Sequence, residues 1–379
     1  MINKERLSPL FFFGLRTPAR NRIVIDVTQV VVTSSGLVWP LTDFNRENAM
    51  FNALVLEQHE KQTFAKITSL DDDLLPDGNV TVDVDFSSLN YKDGLAITGK
   101  GKIVRQFPMV PGIDFAGTVA DSQHPDYQPG DKVVLTGWGV GEAHWGGMAE
   151  KARVNGDWLV PLPEGLSAQQ AMMVGTAGFT AMLCVQALID GGVKPEDGPV
   201  LVTGASGGVG SVAVTLLHAL GYRVSAVTGR LEDNQAWLKQ LGADEVLPRE
   251  SFSAPGHPLD KQQWAGAIDT VGSQMLANVL SQIHYGGTVA ACGLAGGFDL
   301  PATVMPFILR NVRLQGVDSV SCPKAQRQAA WQSLTKLLPA SYFEQACHTI
   351  ALAQTPEYAN KIIQGEVKGR VVIDIAYQG

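Results

Sequence analysis

The amino-acid sequence predicts an α/β fold in which a doubly wound parallel sheet is inserted in a second, β-rich domain. Three observations predict it. A strand, a glycine turn and a helix follow one another at 200–221. Strands alternate with helical stretches from about Ala171 to Val317. Short strands and turns fill the chain before and after that region.

The elements can be justified in order. A strand-like run starts at Asn52–Leu56. Val80–Phe86 alternates apolar and polar residues, as a half-buried strand should. Gly117–Ala120 and Asp131–Leu135 are further strands, joined through the turn Gln128-Pro129-Gly130. Val200–Thr203 is a short β-rich run. Val209, Val212, Ala213, Leu216, Leu217 and Leu220 then recur at helical spacing, and Gly221 stands where a helix stops. Arg223–Val227 is the next strand, and Leu241–Asp244 closes the helix after it. Ala267–Val271 and Gly287–Cys292 read as later strands of the same sheet. A helical stretch at Gln326–Leu338 precedes a closing strand, Val371–Ile375, which is expected to pack back on the first domain. The expected domains are an N-terminal extension (1–50), a β-rich domain (51–170), a nucleotide-binding domain (171–318) and a closing segment (319–379), with a cleft between the lobes.

The composition suits a globular enzyme: 379 residues, 45% hydrophobic and 17% charged. A net charge of -8 argues against nucleic acid as a partner. Cys184, Cys292, Cys322 and Cys347 form no C-x-x-C pair, so a disulfide framework is not expected and a cytoplasmic setting is. The cysteines and histidines show no metal-ligand spacing. No uninterrupted apolar run approaches the roughly 20 residues that span a bilayer, so no membrane partner is expected. The N-terminal extension reads as non-native or disordered. A presequence is the other reading, favoured by Arg16, Arg20 and Arg22 and opposed by Glu5 and Asp26.

The glycines at 204, 207 and 210 depart from the strict dinucleotide fingerprint, but the flanking strand and helix support a pyrophosphate cradle. Ser206, Gly207, Gly208 and Val209 are its candidate contacts. The competing reading is a tight turn with no ligand. The following strand ends in Thr228-Gly229-Arg230, where an NAD-specific fold would place an acidic residue. A guanidinium suits a 2′-phosphate, so NADPH is expected over NADH, with Arg249 as a second candidate. A solvated surface arginine is the alternative for Arg230.

Several longer runs resemble a known family: Ser88–Asp93, Pro111–Gly117, Leu135–Glu142 and His144–Gly147. With the Gly204–Gly210 turn, they are similar to the medium-chain dehydrogenase/reductase superfamily, in its zinc-independent acrylyl-CoA reductase group, which is also quinone-oxidoreductase-like. The resemblance covers about Asn52 to the C-terminus. It implies a GroES-like catalytic domain, a Rossmann domain, NADPH and a homodimer. Zinc alcohol dehydrogenases carry Gly-His-Glu where this chain has Gly112-Ile113-Asp114, so no metal is expected. The resemblance also places the backbone near Leu294, and Ile308 and Ser319, beside the nicotinamide.

Hydride transfer to the β-carbon of an α,β-unsaturated thioester puts negative charge on the carbonyl oxygen, which needs donors in a dry cleft. Tyr91 is the candidate catalytic residue and a cofactor contact, with a core tyrosine as the alternative; Asn90 could donate an amide hydrogen bond. His144 and Cys292 read more simply as a turn residue and a small buried hydrophobe. Lys100, Lys102 and Arg105 could attract the phosphates of an acyl-CoA substrate. The expected reaction is NADPH-dependent reduction of acrylyl-CoA to propionyl-CoA. The alternatives are an NADPH:quinone oxidoreductase and a non-catalytic NADPH-binding protein.

Overall fold

The computed structural model describes residues 49–376, together with the backbone pairing of Val30–Val32 with Val38–Pro40. The chain divides into two compact units, Met1–Asn48 and Ala49–Gly379. In the first, the two short strands pair antiparallel, with Val31 opposite Trp39. The rest of the 1–48 segment lies outside the described residues.

The second unit contains two large sheets. One has six strands in the order Glu245–Pro248, Val224–Thr228, Val200–Val202, Trp264–Asp269, Ile283–Ala291 and Arg313–Gly316, and every neighbouring pair is parallel. The chain therefore runs outward from Val200–Val202 in one direction and then restarts on its other side. That reversal opens a crevice at the carboxyl ends of the two central strands, where doubly wound folds bind ligands. Val200–Val202 and Trp264–Asp269 are buried throughout, as strands covered on both faces must be.

The other sheet has seven strands and is mostly antiparallel. Its order is Cys347–Ala351, Arg370–Asp374, Val80–Leu89, Asp114–Ser122, Lys132–Thr136 and Val160–Pro161, and Lys151–Val154 also pairs with Val80–Leu89. Val80, Val82 and Val84 point into its core while Thr81 and Asp83 are more exposed, so the alternation in the sequence is realised. Arg370–Asp374 returns from the far end of the chain to pair with Val80–Leu89. The parallel sheet is thus an insertion within the chain that builds the antiparallel one.

The helix Ala168–Asp190 links the two, and it spans the expected 170/171 boundary. It is apolar almost all round because it is buried on most sides. It is long and apolar enough to cross a membrane, yet 78% of its apolar window is buried inside the fold. Gly175 breaks it with φ 52° and ψ -161°, a left-handed conformation that favours glycine. A Cβ there would also strike the Arg370 guanidinium.

Candidate active site

The glycine turn sits at the carboxyl end of Val200–Val202 and opens the helix Gly208–Ala219. Gly204 has φ 58°, and a Cβ on Gly210 would collide with the Gly204 carbonyl. The turn is therefore closed tightly on its inner side. Its outer side is open: a Cβ on Gly207 would meet only the Gly204 carbonyl, at 3.3 Å. Ser206, Gly207, Gly208 and Val209 are partly exposed, whereas Ala205 and Gly210 are buried. A helix start leaves N–H groups without intrahelical acceptors, so this open face suits an anion.

Two arginines stand at the next strand end. Gly229 lies against Arg249, and a Cβ on it would stand 2.9 Å from the guanidinium carbon. Arg230 is half-buried and donates from Nη1 to the Glu366 carbonyl at 3.1 Å. Thr228 is 2% exposed. Its Oγ1 accepts from the Arg230 N–H (3.3 Å) and from Asn234 Nδ2 (3.1 Å), and lies 3.3 Å from Ser206 Oγ. Thr228 therefore ties the strand end to the glycine turn. Gly369 donates its N–H to the Ser206 carbonyl at 2.9 Å, bringing the C-terminal segment into the same place.

A buried polar network sits where the two sheets meet. Asp114 Oδ1 accepts from the Ser88 N–H (3.1 Å) and hydroxyl (2.6 Å), and Oδ2 accepts from Asn90 Nδ2 (3.0 Å) and the Thr176 N–H (2.7 Å). Arg370 donates to Ser88 Oγ (2.7 Å), Asn90 Oδ1 (3.2 Å) and the Met173 carbonyl (3.2 Å). The Asn90 amide is held at both ends by this network, and the donor suggested for it from sequence is spent there. A Cβ on Gly208 would lie 3.1 Å from Arg370 Nη1, so the network reaches the glycine turn. Asp93 accepts from the Asn90, Gly112 and Ile113 N–H groups. Burial, reinforced by the charge of Asp114, raises its carboxyl to about 7 despite those bonds.

Tyr91 opens the helix Tyr91–Thr98 directly after Asn90 and is 38% exposed, so it is not a core tyrosine. Ser319 lies where the parallel sheet meets Gly137: its carbonyl accepts from Arg327 Nη2 at 3.2 Å. Arg327 is itself buried, stacks on the Trp138 and Phe179 rings and donates to Thr136. Leu294 and Ile308 are 61% and 73% exposed, and Ile308 lies on a short helix with the exposed Met305 and Leu309. His144 binds the Arg153 carbonyl at 2.7 Å and stacks edge-on against Trp158, a structural use. Cys292 is paired through its thiol with the Asp269 carbonyl, 3.6 Å away.

The sequence reading missed Ser88, Asp114, Thr176, Arg327 and Arg370 as parts of the site. Asp114 and Arg370 each open a strand at its buried end, and a charged residue in such a place was the available signal for both.

An open glycine cradle at a switch point, beside an arginine-lined strand end and a β-rich lobe, defines a dinucleotide-dependent oxidoreductase. The chain belongs to the medium-chain dehydrogenase/reductase family: the Alcohol dehydrogenase GroES-like domain model matches residues 76–164, and the Zinc-binding dehydrogenase model matches residues 208–338. It is 62% identical to an Escherichia coli (strain K12) protein named Probable acrylyl-CoA reductase AcuI, over 85% of this chain and 99% of that one. It is 55% identical to Acrylyl-CoA reductase AcuI of Ruegeria pomeroyi, over 86% and 99%. The crystal structure of the yhdH oxidoreductase from Salmonella enterica in complex with NADP superposes with a TM-score of 0.84 at 63% identity, covering 86% of this chain and 99% of that one. The zinc in one model's description does not fit this site. Among the described residues no three His, Cys, Asp or Glu side chains gather to hold a metal, and both Asp114 carboxylate oxygens are taken by N–H and O–H donors.

Proposed function

We propose that this protein reduces the carbon–carbon double bond of acrylyl-CoA to give propionyl-CoA, using NADPH. The observation that carries the reading is the near full-length identity, 62% and 55%, to two relatives that bear the acrylyl-CoA reductase name. The open cradle at Ser206–Val209 and the arginines at 230 and 249 fit a phosphorylated dinucleotide.

NADPH, when bound, supplies a hydride for the β-carbon of the thioester. The chain's own residues do the rest. Ser206, Gly207, Gly208 and Val209 receive the pyrophosphate. Arg230 and Arg249 hold the 2′-phosphate, and Thr228 and Gly229 shape that pocket. Leu294, Ile308 and Ser319 are assigned to the nicotinamide end. Tyr91 would offer its ring to the bound cofactor and its hydroxyl as a donor. The buried Asp114–Arg370 network fixes Asn90 and hence the helix start that carries Tyr91.

The exposed apolar side chains of Val304, Met305 and Leu309, on the helix that precedes the edge strand Arg313–Gly316, suit a second copy, and we assign a homodimer. Sedimentation of Leu309→Asp should show a monomer; an unchanged dimer would remove that assignment. The four cysteines are free, in keeping with a cytoplasmic enzyme. The test of the reading is mass-spectrometric identification of propionyl-CoA from acrylyl-CoA and NADPH. A quinone consumed in preference, with no propionyl-CoA formed, would favour the alternative.

A further inference from the structure

The edge of the cleft next to Tyr91 carries an organised group of charges. Lys92 follows Tyr91 on the same helix, and its ammonium pairs with the Glu142 carboxylate. Arg105 comes from the loop after that helix: its Nη2 reaches Glu142 Oε1 at 3.3 Å, and its backbone N–H donates to the Glu142 carbonyl at 2.8 Å. Burial opposes the charge on Glu142, but Lys92 and Arg105 outweigh it and hold the carboxyl below its usual range. Glu142 thus stays ionised and keeps two cations in place, with the Arg105 side chain still 69% exposed.

Two more cations lie on the loop that leads from this helix to Arg105. Lys100 and Lys102 flank Gly101 and are exposed. Their loop is turned back on itself by the Gly101 N–H on the Leu95 carbonyl (3.3 Å) and the Ile103 N–H on the Gly101 carbonyl (2.9 Å). Of the three cations named from the sequence, Arg105 is therefore pinned, Lys100 and Lys102 project, and Lys92 joins them.

The segment that carries Glu142 also packs against Ser319 and Val320. Trp138 donates its N–H to the Val320 carbonyl at 3.0 Å, beside Ser319. One short loop thus runs from the region assigned to the reacting end out to the charged rim. The molecule as a whole carries a net charge of -8, which repels a polyphosphorylated substrate. Four cations against one carboxylate make this group net positive, and a guanidinium suits phosphate oxygens.

We infer that Lys92, Lys100, Lys102 and Arg105, organised around Glu142, form the subsite for the phosphates of coenzyme A, an inference that rests on the thioester reading above. The flexible pantetheine arm joins this rim to the acyl group near Tyr91.

The test replaces all four cations by alanine in the full chain. Calorimetric titration with coenzyme A itself, on protein saturated with NADP, should show binding weakened about tenfold or more, while NADPH affinity stays within about twofold. KM for acrylyl-CoA should rise by a similar factor, and KM for acrylyl-pantetheine, which lacks the nucleotide phosphates, should not. Should the quadruple variant fail to fold, Lys100→Glu with Lys102→Glu leaves the Glu142 pairs intact and should weaken coenzyme A binding in the same direction. Unchanged coenzyme A affinity, or equal changes for both thioesters, overturns the inference. Failure of the wild-type protein to reduce either thioester instead overturns the thioester reading, and the coenzyme A titration still reads the rim on its own.

Discussion

The Arg249 guanidinium covers Gly229, where a Cβ would stand only 2.9 Å from its central carbon. Arg230, the next residue, is held by the Glu366 carbonyl at 3.1 Å. The two arginines therefore stand at the ends of neighbouring parallel strands, Val224–Thr228 and Glu245–Pro248, with Arg230 anchored by the C-terminal segment. Arg230→Ala and Arg249→Ala should each raise KM for NADPH about 10- to 100-fold, the worth of a charge-assisted phosphate contact, and leave KM for NADH nearly unchanged. Initial-rate measurements with both cofactors check this. A parallel loss with NADH would move the 2′-phosphate elsewhere.

Tyr91→Phe keeps the ring and removes the hydroxyl. With the hydroxyl as a donor in the cleft, kcat should fall about 100-fold while NADPH affinity, read by fluorescence titration, stays the same. An unchanged kcat would leave Tyr91 as a packing surface for the cofactor.

Arg370 and Asp114 share the Ser88 hydroxyl, at 2.7 Å and 2.6 Å. Both are buried, so removing one strands the other's partners. Arg370→Met should cost about 3–5 kcal/mol of unfolding free energy, measured by denaturant titration. A loss below about 1 kcal/mol would mean that the network is not held together by charge.

Asp93 gives a pH signature. Its carboxyl is raised from 3.8 to about 7 in the folded protein, through burial and the nearby charge of Asp114. Between those values the folded state keeps a proton that the unfolded chain has released. The contribution of Asp93 to stability is thus full below about pH 4 and lost as pH rises through about 7. Unfolding free energy should therefore fall more steeply between about pH 5 and 7 in the wild type than in Asp93→Asn, by up to about 1.4 kcal/mol per pH unit. Identical slopes would show that Asp93 does not titrate in this window.

The parts of this fold that announce themselves locally were legible in the sequence. The turn at Gly204–Gly210 and the alternation in Val80–Phe86 are set by neighbours a few residues away, and both elements are found. The helix Ala168–Asp190 was harder to delimit, because burial on most sides removes the one-face pattern. The bonds of the Thr228 hydroxyl to Ser206, Arg230 and Asn234 could not be read locally, because which way a strand-end side chain turns is decided by packing. The Ser88–Arg370 bond joins residues 282 apart, and such a contact leaves no local trace.

The central claim is that an arginine-lined dinucleotide cleft directs hydride to an unsaturated acyl-CoA. It is tested most directly by kcat/KM for acrylyl-CoA and for a simple benzoquinone, each with NADPH and with NADH. The account predicts a preference of about 100-fold or more for acrylyl-CoA and about tenfold or more for NADPH. Equal or faster turnover of the quinone, or equal use of NADH, would contradict it.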